Sequence, residues 1–83
     1  MSLLIEIRTA YFIAKLGTVS AAADALGVHR ATVMRRIDLL EAELGLKIFR
    51  RHSKGYSLTD FGVSLVRSAE TIEKEAERYV GLC

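Results

Sequence analysis

Three short helices, a small β-hairpin and one longer helix make up the mainly α fold that this chain predicts. Three observations carry that expectation. Glycines at 17, 27 and 45 punctuate runs with helical apolar spacing. Two short segments, KIFRR and YSL, flank a turn-like HSKG. Thr59 then precedes a final amphipathic stretch. Proline is absent and 51% of the residues are apolar, a composition suited to a packed helical domain rather than a disordered chain. The 83 residues leave room for one domain with a modest core.

The first helix is expected from Leu3 to Leu16, with Gly17 as its C′ residue. Its apolar residues exceed what one stripe can hold, so two of its sides need cover, one from the core and one from a further helix or a second subunit. Ser20 or Thr18 caps the second helix, AAADAL, whose alanines let a neighbour approach closely. Gly27 and Val28 form a tight turn into a third helix from about Arg30 to Leu44, which stops at Gly45.

In the third helix Val33, Ile37, Leu40 and Leu44 form the stripe predicted to be buried. A rotation of about 100° per residue puts Ala31, Arg35, Asp38 and Ala42 opposite, with Arg30 and Met34 on one flank. Arg36 is expected at the core edge, paired with an acid. The N-terminal half of the free face thus combines small residues with arginines, whose forked donors match guanine O6 and N7 or phosphate. Glu41 and Glu43 stand towards the other end, where phosphate would repel them.

Lys47 to Arg51 and Tyr56 to Leu58 predict a hairpin with a four-residue basic tip, His52-Ser53-Lys54-Gly55. It is too small to stand alone and must lean on the helices through Ile48, Phe49 and Leu58. Thr59 caps a last helix to about Tyr79, in which Leu65, Ala69, Ile72, Ala76 and Tyr79 form a seam for another helix. The whole order reads as a winged helix-turn-helix, a three-helix core with a hairpin wing.

The net charge is only +2, but its distribution is informative. From His29 to Tyr56 seven basic residues (Arg30, Arg35, Arg36, Lys47, Arg50, Arg51, Lys54) face three acids (Asp38, Glu41, Glu43), a local +4. That concentration suits a polyanion, and Arg51, His52 and Lys54 on the wing suit phosphates. Ser20 and Thr32 are further phosphate donors, or else cap and bond within their own helices. Arg30, Ala31, Met34 and Arg35 are the expected base-reading set.

No phosphate loop, nucleophile elbow or paired carboxylates occur, so nothing supports an enzyme, and no cofactor is expected. His29 and His52 have no carboxylate or thiol at ligand spacing, so no metal is expected. The single cysteine, Cys83, can form neither an internal disulfide nor a metal cage. The start, MSLLIEIR, is too short and too charged for a signal segment or a membrane span, leaving the cytoplasm as the default location.

The run GTVSAAADALGVHRATVMRRIDLLEAELGLKIFRR, followed by YSLTDFG, resembles the N-terminal domain of LysR-type transcriptional regulators. Its most specific parts are Ala22-Ala23, the spacing to Gly27-Val28, Ile37 to Gly45, Ile48-Phe49 with Arg51, and Leu58-Thr59 with Gly62. The resemblance implies bacterial transcription regulation. It divides the chain into a winged helix-turn-helix over 1–58 and a linker helix over 59–83, through which two subunits dimerise. It also implies a dyad-symmetric DNA site and a larger effector-binding domain in the full-length protein.

Some positions depart from the family. His29-Arg30-Ala31 stands where members commonly have Ser-Gln-Pro, Met34 replaces a small polar residue, and Ala10 stands where an aromatic is usual. Arg30 in place of glutamine suggests guanine rather than adenine as its partner. Two alternatives remain: a winged helix resembling the molybdate-responsive or MarR regulators, and one used for protein contacts through the last helix.

Overall fold

The computed structural model describes residues 2–80; Met1 and residues 81–83, Cys83 among them, lie outside it. Four helices and a two-stranded antiparallel sheet follow in the order α1 (Leu4–Leu16), α2 (Val19–Leu26), α3 (Arg30–Leu44), β1 (Phe49–His52), β2 (Gly55–Leu58) and α4 (Asp60–Glu77). α1 lies at the centre, against α2, α3 and α4. Ala10 and Ile13 of α1 meet Val19, Ala22 and Ala23 of α2, and Val33, Ile37 and Leu40 of α3. Ile48, fully buried, plugs the core from the hairpin side.

The buried stripe of α3 is shorter than expected. Leu44 is 37% exposed, because the core ends one turn earlier at Leu40.

Of the two candidate caps for α2, Thr18 rather than Ser20 serves: its side chain accepts the Ala21 N–H at 3.0 Å. The turn after α2 needs a left-handed residue, and Gly27 supplies it at φ +69°. The Val28 N–H then reaches back to the Ala23 carbonyl at 3.1 Å, closing the helix as in a Schellman end.

The hairpin tip is tighter than its sequence suggests. Phe49 pairs with Leu58, Arg50 with Ser57, Arg51 with Tyr56 and His52 with Gly55, so His52 and Gly55 are strand residues and only Ser53-Lys54 turns. Gly55, at φ +129°, lets the chain enter β2 directly. Two hydrogen-bond clusters hold the hairpin to the helices. Glu41 Oε2 accepts from Ile48 N–H (2.8 Å) and Phe49 N–H (3.3 Å). Thr59 caps α4 through Gly62 N–H (2.9 Å), donates to the Lys47 carbonyl (2.7 Å), and lies 3.0 Å from the Ile48 carbonyl through its own N–H. Gly62 allows this close approach, since a Cβ there would run into the Ile48 carbonyl.

α4 packs on α1 with Ala69 buried and Leu65 half-buried, then outruns it. Arg8 Nε meets Glu73 Oε1 at 2.6 Å across this contact. Beyond it Ile72 is 50% and Tyr79 76% exposed, as are Leu4 and Ile5 at the start of α1, 59% each. The seam named from the sequence is therefore covered only in its first half within one chain. Arg36 also differs from expectation: its Nη1 lies 3.4 Å from the Thr9 hydroxyl, and no acid among the described residues pairs with it. Thr9 is fully buried on α1, so the guanidinium braces two helices.

Candidate nucleic-acid interface

The starts of α2 and α3 and the hairpin enclose a cleft of about 560 Å³. Ser20 borders it from α2, Arg30, Ala31 and Met34 from α3, and Arg51, His52 and Lys54 from the hairpin. The tight turns after α1 and α2 set two helix starts side by side, and the short hairpin brings its cations back towards them. Seven of the nine residues named as base or phosphate contacts thus meet in one place.

The other two stand outside the cleft. Arg35 is exposed one turn beyond Ala31 on the outward face, while Thr32 lies on the opposite flank of α3, the flank of Arg36. The Ser20 and Thr32 side chains make no hydrogen bond among the described residues, and Ser20 is exposed.

Among the described residues the ion pairs are Arg8–Glu73, Lys47–Glu41, Lys74–Glu70 and Arg78–Glu75, none of them bordering the cleft. Arg30, Arg35, Arg50, Arg51 and Lys54 have no acid partner among the described residues, and neither do the scattered Lys15, Arg36 and Arg67. Five of these cations stand together, Arg30 and Arg35 on the first turns of α3 and Arg50, Arg51 and Lys54 on the hairpin. Asp38, the nearest acid on the outward face of α3, lies one turn further along.

Local packing orients these groups. The Arg51 guanidinium stands over the Tyr56 ring at 5.7 Å, and Tyr56 meets Phe49 edge-on at 6.2 Å. Phe49 in turn packs on the core. His29 caps α3 only by its backbone; its side chain makes no capping bond, so the first amides of α3 are left for another acceptor. Away from the cleft, Lys15 Nζ donates to the Tyr11 hydroxyl at 3.2 Å, a bond that raises the lysine above its ordinary value.

Residues 4–63 match the model of the bacterial regulatory helix-turn-helix proteins of the lysR family. The chain belongs to this family. The HTH-type transcriptional regulator GalR of Pseudomonas putida is 35% identical over 74 residues, which are 89% of this chain and 19% of that protein. Two solved structures share its shape at 29% identity. One is a complex of the CbnR DNA-binding domain with DNA, at a TM-score of 0.80, covering 94% of this chain and 88% of that one. The other is full-length OxyR from Pseudomonas aeruginosa, at 0.82, covering 99% of this chain and 28% of that one. The chain spans about a fifth of the length of the curated relatives it matches.

Three contacts of the site escaped the reading of the sequence. Tyr56 carries Arg51. Glu41 and Thr59 fasten the hairpin from either side. A two-residue turn would have placed Arg51 opposite Tyr56. No local pattern announces a carboxylate that reaches seven residues ahead across a loop.

Proposed function

We propose that this chain is the DNA-reading end of a bacterial LysR-type transcriptional regulator, with 1–58 as the winged helix-turn-helix and 59–83 as the dimerising linker. α3 enters the major groove of double-stranded DNA. Arg30, Ala31, Met34 and Arg35 face the bases, while Ser20, Thr32, Arg51, His52 and Lys54 hold phosphates on the flanking backbone. Two copies joined through Leu65, Ala69, Ile72, Ala76 and Tyr79 read a dyad-symmetric site. The role is binding and not catalysis, it is exercised in the cytoplasm, and a separate effector-binding domain supplies the signal in the full-length protein. Relatives of which the matched residues make up only 19–23% support that last point, and no described helix is long and apolar enough to cross a membrane.

One observation carries the reading: Arg30, Arg51 and Lys54 converge on one cleft, and none of them has an acid partner among the described residues. Half-sites selected from a random duplex pool, followed by binding at rising salt, test it. Affinity should fall steeply with salt as phosphate contacts release counterions. Arg35→Ala should weaken binding by about 1–3 kcal/mol and relax one base position. Lys54→Ala should weaken all sequences alike and reduce the salt slope by about 1. Unchanged affinity in both variants would sink the proposal.

A further inference from the structure

The recognition helix and the wing are fastened to each other by one carboxylate. Glu41 leaves α3 on the flank of Arg30 and Met34, which faces the hairpin. Its Oε2 accepts the N–H groups of Ile48 and Phe49 at 2.8 and 3.3 Å, and its Oε1 lies 3.6 Å from Lys47 Nζ. Only 12% of the Glu41 side chain is exposed, so these charge-assisted bonds are largely shielded from water. Among the described residues they are the hydrogen bonds that α3 makes to the hairpin segment. Thr59 grips the same residue from the other side, through the Ile48 carbonyl, but that fastening leads to α4.

A two-stranded ribbon has little rigidity of its own and takes its pose from where it is anchored. Phe49 opens β1, and Arg51 lies two residues further along the same strand, with Lys54 in the turn. A displacement at residues 48 and 49 therefore moves both cations relative to Arg30 and Arg35.

We propose that Glu41 is a positioning residue for DNA binding. It sets the distance between recognition helix and wing so that one duplex meets both. The inference rests on the DNA-binding reading above, with the hairpin as a phosphate contact.

A double-mutant cycle tests it, using the duplex that the unaltered chain selects from a random pool. Glu41→Ala should weaken binding about tenfold, within the range that coupled groups show. It should also lower the slope of log affinity against log salt by about 1 to 2, the share of two phosphate contacts. In the Arg51→Ala/Lys54→Ala background Glu41→Ala should cost nothing further. Glu41→Gln, which keeps an acceptor oxygen, should retain most of the affinity and slope.

An unchanged slope, or an equal loss in both backgrounds, overturns the proposal, because a general weakening of the fold would act in either. If Glu41→Ala unfolds by circular dichroism, the cycle run with Glu41→Gln decides by the same criterion on a smaller loss. No effect of Arg51→Ala/Lys54→Ala by itself removes the hairpin reading instead, and is recognised without any Glu41 variant.

Discussion

Arg30 and His29 illustrate how much a single side chain decides at the start of α3. Arg30 is exposed at the mouth of the cleft with no acid beside it, so its fork is available to a base edge or a phosphate. A guanidinium matches guanine O6 and N7, whereas a glutamine amide matches adenine N6 and N7. Arg30→Gln should therefore shift one position of the selected site from guanine to adenine, read by sequencing a random pool after selection. Selection of an unchanged site would show that Arg30 contacts only phosphate. His29 has cap-compatible backbone angles, φ −77° and ψ 154°, but its ring makes no capping bond. His29→Ser should supply that bond and raise stability by about 0.5–1 kcal/mol. Urea unfolding would report it as a higher midpoint at constant slope.

At the scale of elements, the hairpin depends on close approach to α4. Gly62 sits in the first turn of that helix, against the Ile48 carbonyl and the Leu58 side chain. Gly62→Ala gains helix propensity, worth about 1 kcal/mol in an open site. Here the added methyl collides with backbone rather than a side chain that can swing away, and overpacking of that kind costs about 1–3 kcal/mol or more. The net change should be destabilising, and a rise in melting temperature would contradict the packing described. The α1–α4 contact is fastened differently, by small residues and the Arg8–Glu73 pair. Arg8 is half exposed, so that pair adds little next to the burial of Ala69.

For the molecule as a whole, the uncovered apolar surface is as telling as the charge. Leu4 and Ile7 of α1 and Ala69, Ile72 and Ala76 of α4 line an open groove of about 420 Å³. It continues the seam proposed for dimerisation. Ile72→Glu places a charge in that groove without touching the core, since Ile72 is half exposed. The chain should then sediment as a monomer with unchanged circular dichroism and lose affinity for a dyad-symmetric duplex more than for a single half-site. A dimer that persists at micromolar concentration would place the interface elsewhere.

Much of this was legible in the sequence, and for a common reason. Helix ends at Gly17, Gly27 and Gly45, the cap at Thr59 and the stripe from Val33 to Leu40 arise from interactions within a few residues of each other. So does the outward placement of Ala31 and Arg35. Spacing along the chain is enough to read these. The LysR-type pattern added the linker role of the last helix, which periodicity alone left open.

The remainder was decided by groups that meet only when the chain is folded. Ser53-Lys54 became the whole turn because the register closed on Gly55. Arg36 found the Thr9 hydroxyl 27 positions away rather than an acid. Glu41, read from its charge as merely unfit for phosphate, proved to hold the hairpin through two backbone amides. The sequence by itself determined which elements form and which face of α3 stays free, since those follow from local hydrogen bonding and period. Only the tertiary structure decided how the wing is held against that face, because the hydrogen bonds that set it join segments that spacing along the chain does not bring together.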